Sequence, residues 1–411
     1  MGFMQLQTNH SECNKPVPIL SWALYDFANT IFSILVVTRY LPPMMKALTG
    51  RTSPMGAAAA FSMIAAGLAV PVFGALSDRT GRSKRYLFYA TLLCVCATMA
   101  VSFADQAFFI LIIFFVANLA YQISMVFYNS LLPVVCTEDR VGSVSGFGVA
   151  MGYAGSFFAL IAANLYTRTF PVQGVFFLTG VLFLILSVPI FLWVQEREVL
   201  HPEPLNRRLL IHRFRGVIRT LRELPDHPQI LFFLLGNFFC LDAVNTTIIF
   251  FSEYLQNARG ISGTGIDQCL IAVQVSALCF SLLIGRLTDK IGPKVMILWV
   301  TVAWIVVISV VLSTQNFMAI FFISILGGFG LGGIWVTGRA WILQLSPAGR
   351  VGEFMGLYGL TGKFSAVGAF IFGILADWIS YDAALAFQLV MLLLGAYFFA
   401  RIPTDKTVIN H

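Results

Sequence analysis

Two short stretches place ionisable chemistry inside an otherwise apolar chain. Asp26 and Asn29 lie three residues apart in Ser21-Trp22-Ala23-Leu24-Tyr25-Asp26-Phe27-Ala28-Asn29-Thr30. The same acid–amide spacing returns 216 residues later as Asp242-Ala243-Val244-Asn245-Thr246. Three residues apart is one face of a helix. A carboxylate at the centre of a membrane-spanning helix costs about 2.5–3.5 kcal/mol on insertion scales, so it needs a partner, a proton or water. Each acid has two readings. One is coupling to a proton or cation, or binding a substrate amine. The other is a carboxylate held by a neighbouring basic or amide group, locking helix packing. Asn29 and Asn245 either orient the acids and bind substrate or hydrogen-bond between helices.

Further polar positions extend this set. Lys363 lies about ten residues into an apolar run, roughly 15 Å deep at the helical rise, too deep for its ammonium to reach the interface easily. It is read as a site for a substrate carboxylate or as a counter-ion to Asp242 or Asp26. Arg339 stands six residues before the end of its run at Leu345, where anion binding and simple reach to the interface are both open. Asn118, Tyr121 and Gln122 share a helix face, open to cavity lining or to polar packing. Trp335 and Tyr25 are candidate wall residues, with ordinary packing as the alternative. Gly356 to Phe364 superficially resembles a phosphate-binding loop. Five residues rather than four separate Gly356 from Gly362, and Phe364 stands where Ser or Thr is required, so ATP binding is rejected. No nucleophile–base set, HExxH or CxxC pattern occurs, and the seven cysteines show no metal-ligand spacing. The five histidines fall in the predicted tails and central loop. No cofactor, no metal site and no enzyme activity is expected.

The elements that must carry these residues are membrane helices. The chain is 58% hydrophobic and 11% charged over 411 residues, with a mean hydropathy of +0.84, where soluble domains carry about 25% charged residues. Apolar runs near 19–41, 55–76, 86–104, 107–135, 143–166 and 174–194 are followed, after a break, by runs near 229–255, 264–285, 295–313, 317–345, 353–376 and 383–400. Each approaches the length of about 20 residues that a spanning helix needs. Strand alternation is absent, and backbone in lipid must bond within its own segment, so the fold is read as all-α and integral to the membrane. Residues 1–195 form a predicted N-terminal six-helix bundle and residues 229–411 a C-terminal one. Between them, residues 196–228 read as a basic amphipathic linker lying on the cytoplasmic interface. With the N-terminus inside, 19 Lys and Arg fall on predicted cytoplasmic segments and 4 on the opposite side. That asymmetry places both termini in the cytoplasm. It also explains the net charge of +7 by lipid topology, so no nucleic-acid partner is expected.

The halves repeat. Gly74-Ala-Leu-Ser-Asp78-Arg79-Thr-Gly81-Arg82-Ser-Lys84-Arg85 recurs in weaker form as Gly285-Arg-Leu-Thr-Asp289-Lys290-Ile-Gly292-Pro-Lys294. Arg140-Val-Gly142-Ser-Val-Ser-Gly146 recurs as Arg350-Val-Gly352-Glu353-Phe-Met-Gly356. Six helices per half in the same orientation means parallel repeats about an axis along the membrane normal. The Gly74–Arg85 loop resembles the signature of the major facilitator superfamily between its second and third helices. Trp22 to Asn29, Tyr128-Asn129-Ser-Leu-Leu-Pro133 and Gly338-Arg339 through Glu353 to Lys363 are similar to the branch of autophagy-related vacuolar amino-acid effluxers and their bacterial relatives.

The resemblance implies twelve helices in two pseudo-symmetric six-helix bundles, with the first and seventh helices facing a central cavity. It implies a secondary transporter that moves a small polar solute by alternating access. Amino acids are the expected cargo, exported or exchanged with proton coupling. An exporter of a larger metabolite, such as a metallophore or a drug-like cation, is the alternative, and a membrane receptor or enzyme is a distant third. Substrate and coupling are assigned to Asp26, Asn29, Asn118, Gln122, Asp242, Asn245, Arg339 and Lys363. A cytoplasmic gate is assigned to Gly74, Asp78, Arg79, Gly81, Arg82, Arg85, Arg140, Asp289, Arg350 and Glu353. Asp78 is expected to meet the N-terminus of the eleventh helix, and Asp289 that of the fifth near Gly142, where helix dipoles favour a negative charge. A monomer in a bacterial inner membrane is the expected setting, with lipid and a small solute as its partners.

Overall fold

The computed structural model describes residues 15–80, 82–136, 141–195, 218–347 and 351–403. Among them, twelve helices are long and apolar enough to cross a membrane, as the sequence predicts. They are α1 (Pro16–Thr49), α2 (Ser53–Thr80), α3 (Ser83–Val101), α4 (Ala107–Ser130), α5 (Val141–Thr167) and α6 (Gly174–Trp193). The second six are α7 (Pro228–Ala258), α8 (Gly263–Ile291), α9 (Pro293–Ser313), α10 (Phe317–Leu345), α11 (Val351–Phe364, resuming as Val367–Trp378) and α12 (Tyr381–Arg401). Most of the basic linker, 196–217, lies outside the described residues, and its last part is a short helical turn ending in Leu224–Asp226.

Packing repeats between the halves. α1 meets α5 and α6, α2 meets α4, and α3 meets α4 and α6. In the same pattern α7 meets α11 and α12, α8 meets α10, and α9 meets α10 and α12. The halves join mainly through α2 with α11, α5 with α8, and α1 with α7. Lipid offers no hydrophobic drive between helices, so close backbone approach at small residues carries the packing. Gly155 lies against the backbone of Phe27, Gly56 against the carbonyl of Ala369, and Gly236 against Gly395.

Two helices depart from the predicted continuous runs. α1 does not stop near residue 41 but runs on to Thr49, through a π-helical stretch, Ser33–Tyr40, and a last segment, Leu41–Thr49. Pro42 and Pro43 cannot donate to preceding carbonyls, and the wider π turn absorbs that loss. α11 is interrupted at 365–366. There the backbone tightens, with Ala366 N donating to Lys363 O (3.4 Å) and Gly368 N to Ser365 O (3.2 Å).

Candidate functional site

The first acid–amide pair is built by the start of α1. Asn29 Nδ2 donates to Asp26 Oδ1 at 3.0 Å, and Tyr121 Oη donates to Asn29 Oδ1 at 3.4 Å. Asp26 is half-buried while Asn29 is buried. Gly152 of α5 keeps this face thin, since a Cβ there would stand 3.7 Å from Asp26 Cγ and 2.9 Å from Thr30 Oγ1. One turn earlier, Trp22 stacks on Tyr128 (ring centroids 4.5 Å apart), and Tyr25 stacks on Tyr128 from the other side (5.2 Å). Tyr25 is therefore a packing residue, its hydroxyl bonded to Thr91. Neither Arg339 nor Lys363 forms an ion pair with Asp26 among the described residues. Arg339 is half-buried; its Nε donates to Trp335 O at 3.2 Å, and no carboxylate pairs with it among the described residues.

The second pair is arranged differently. Asp242 is buried, and its Oδ1 accepts from Gly368 N at 2.9 Å. It caps the second segment of α11 from a neighbouring helix, doing for that N–H what an N-cap side chain does. Asn245 Nδ2 reaches Ser365 Oγ at 3.4 Å, and Asn237 Nδ2 reaches Thr361 Oγ1 at 2.7 Å. The α7 face thus stitches the interruption in α11. Lys363, just before the interruption, donates to Gln122 Oε1 at 2.5 Å and so joins α11 to α4 across the halves. No carboxylate accepts from Lys363 among the described residues, so the predicted counter-ion role finds no partner there. Asn118 is buried and donates to Ser62 Oγ at 2.7 Å, bonding α4 to α2.

Next to the first pair lies a cavity of about 310 Å³. Its walls come from α1, α4, α5 and the second bundle, and no ionisable side chain other than tyrosine lines it. Trp335 and Tyr121, both anticipated, are among its walls. Four polar atoms of its lining residues are buried without a hydrogen-bond partner: Ser156 Oγ, Thr247 Oγ1, Gln274 Oε1 and the indole nitrogen of Trp304. Buried polar groups are rarely left so; these four are covered by the wall itself and do not open onto the cavity in this state. None was anticipated, because single Ser, Thr, Gln and Trp residues in apolar runs carry no spacing signal. Arg339, bonded to the backbone of the lining residue Trp335, and Asp26, linked through Asn29 to the lining residue Tyr121, place charged groups at the cavity's edge.

The end of the molecule where α1 meets α2 is closed by bonds between the halves. Arg39 of α1 pairs with Asp267 of α8 and also donates to Gly263 O at 3.1 Å. Asn164 of α5 reaches the other oxygen of Asp267 at 3.4 Å. Asp377 of α11 accepts from Thr52 N (2.6 Å) and Ser53 N (2.8 Å), capping α2, and pairs with Lys46 at 3.3 Å. Glu253 of α7 is fully buried and accepts from Thr52 Oγ1 and, at 2.7 Å, from Tyr381 Oη. Acids and bases within the predicted runs, Arg39, Glu253 and Asp267, were the available signal for this closure.

The predicted gate at the opposite end is mostly beyond the described residues: Gly81, Arg140 and Arg350, and the side chains of Gly74, Asp78, Arg79 and Glu353. Arg82, Arg85 and Asp289 are described and exposed. α5 and α8 do pack together, but no hydrogen bond or ion pair of Asp289 is found among the described residues.

Comparison with known proteins agrees with this geometry. A family model described as "Vacuole effluxer Atg22 like" matches residues 49–410. The uncharacterized MFS-type transporter YxiO of Bacillus subtilis is 26% identical over 410 residues, covering 94% of this chain and 95% of that protein. Autophagy-related protein 22 of Pichia angusta is 22% identical, covering 95% of this chain and 77% of its own. Among solved structures, a mutant of the nucleoside transporter NupG superposes with a TM-score of 0.77 at 14% identity, over 94% of this chain and all of that one. At that identity the likeness is one of fold.

Proposed function

The chain belongs to the vacuole effluxer Atg22-like family, and on that premise we propose that it carries an amino acid across the membrane, by export or exchange, coupled to protons. It is a multi-pass membrane transporter of the major facilitator type and not an enzyme. The cargo and its coupling are the proposal.

The observation that carries it is the cavity with an acid and an unpaired guanidinium at its edge. Ser156, Thr247, Gln274 and Trp304 line a mostly apolar space of about 310 Å³. Asp26 with Asn29 stands at its edge, and so does the guanidinium of Arg339, without an ion pair among the described residues. An amino acid complements both parts: its amine faces Asp26, its carboxylate faces Arg339, and its side chain enters the cavity. Lys363, held by Gln122, offers a second cation when the halves separate. The volume is at the low end for small-molecule sites, a better match for an amino acid than for a metallophore. The charge asymmetry of the loops supports cytoplasmic termini, which makes the closed α1–α2 end extracytoplasmic. A bacterial inner membrane is the setting that its full-length match to the Bacillus protein favours.

The test is flux of labelled amino acids in proteoliposomes of the purified protein, with and without a pH gradient. Saturable flux accelerated by the gradient and lost in both exchange and driven modes in Asp26→Asn is the expected result. Amino acids that neither move nor compete, or flux that survives Asp26→Asn, would overturn it. A reporter fused to the C-terminus and active only in the cytoplasm tests the orientation.

A further inference from the structure

Glu253 is the one fully buried acid among the described residues, and its surroundings are unlike those of the acids near it. Asp377 faces Lys46 and two backbone N–H groups, Asp267 faces Arg39, and Asp382 faces Arg259 at 2.8 Å and Tyr254 at 2.7 Å. Each of those carboxylates has a cation. Glu253 has no ion pair among the described residues. Its Oε1 accepts from two hydroxyls, Thr52 and Tyr381, which also contact each other at 2.9 Å. Its Oε2 is buried with no hydrogen-bond partner.

A carboxylate in this place would leave half its charge bare in a contact that excludes water, which is the expensive arrangement of a buried charge. A neutral carboxyl leaves only one weak polar atom unsatisfied. The hydroxyl of Thr52 belongs to the first half of the chain, whereas Glu253 and Tyr381 belong to the second. Separation of the halves at this end therefore removes the Thr52 bond and admits water to the acid.

We propose that Glu253 is a protonation latch on the α1–α2 end: it is neutral while that end is closed and gives its proton to the water that enters when the halves part there. The proton leaves the Glu253 carboxyl for solvent water, the anion that remains is hydrated, and closure requires the proton's return from that same side. Opening of this end is thereby linked to pH, because the closed state binds the proton and the open state does not, while no net proton crosses the membrane through Glu253. The titratable and charged groups around it are Lys46 of α1, Asp377 of α11, Tyr381 and Asp382 of α12, and Tyr254 and Arg259 of α7. Lys46 and Asp377 pair with each other, as do Arg259 and Asp382, which leaves no unpaired cation beside Glu253 among the described residues.

The experiment does not need the cargo. Spin labels are placed at Phe170 and Ile379, exposed residues of opposite halves at this end, with Cys13, Cys96 and Cys279 replaced by serine. Electron–electron distances are then measured in lipid discs at mildly acidic and mildly alkaline pH. A single short distance in acid, with a longer population growing in alkali by at least about fivefold, is expected. Glu253→Gln, which mimics the protonated side chain, should stay short at both pH values. Tyr381→Phe, which removes from the same half a donor that stabilises the anion, should open at higher pH than the parent. A parent distance indifferent to pH, or a Glu253→Gln protein that follows the parent, overturns the assignment. If Glu253→Gln does not fold, the direction of the Tyr381→Phe shift decides. In proteoliposomes Glu253→Gln should slow the flux of a cargo by favouring the closed end, and remove the dependence of that flux on pH at the α1–α2 side. Failure of amino acids as cargo would sink the proposed function and leave the distance result standing.

Discussion

Asp26 and Asp242 begin from the same local sequence, an acid with an amide three residues on, and end in different employment. Asp26 is half-buried, held by its own Asn29, with the cavity beside it. Asp242 is buried under α11 and bonded to Gly368 N. The cause lies in the partner helices. α5, packed against α1, is continuous, with Gly152 lying against Asp26. α11, packed against α7, is interrupted and presents backbone groups that need partners. The N–H of Gly368, shared with Ser365 O, engages one oxygen of Asp242 and leaves the other buried without a partner, whereas Asp26 is bonded only to its own helix's amide. A repeat keeps positions in a fold; the second bundle has turned one of them into a brace.

The comparison breaks most readily on transport. Asp26→Asn should weaken cargo binding by about 2 kcal/mol or more, roughly 30-fold, as expected for removing one partner of a desolvated charge pair, while its thermal midpoint stays near that of the parent. Asp242→Asn should keep exchange flux and lower the thermal midpoint instead. Equal loss of flux in both, with equal melting, would erase the distinction. Gly368→Ala is next in size, because a Cβ there would overlap the Asp242 carboxylate. Overpacking of that kind costs about 1–3 kcal/mol, read as a lowered unfolding midpoint, and Gly152→Ala should cost less because its nearest contact is a hydroxyl at 2.9 Å. Replacing Asp242 by alanine should cost about 1 kcal/mol, the typical value of a lost cap. The smallest effect is across the halves. A double-mutant cycle on Lys363→Met and Gln122→Leu should give a coupling of about 0.6 kcal/mol, reaching about 1.7 at most, as measured for polar pairs between membrane helices.

The acids themselves were visible in the sequence, since a charge inside a long apolar run is rare whatever its use. Their roles were not. Lys363 reads as an ammonium too deep for the interface, yet an amide on α4, 241 residues away, is what receives it. Asn118 and Gln122 share one face of one helix and serve different contacts, one to Ser62 within its own bundle and the other across to Lys363. Arg39, Glu253 and Asp267 escaped notice because each stands near the end of an apolar run, where a charge also reads as an interfacial residue.

What the sequence determined alone is the number of spans, the repeat between two like halves and the loops in which basic residues concentrate. These depend on hydropathy, length and local repeats, which are properties of consecutive residues, and lipid leaves a polar backbone little choice but helix. Tertiary structure decided which acid stays with its own helix's amide, which meets a backbone N–H of another helix, and which is sealed between hydroxyls. Those outcomes depend on what lies across a helix interface a few ångströms away, from residues hundreds of positions distant. A carboxylate's environment, unlike its identity, is a property of its neighbours in space.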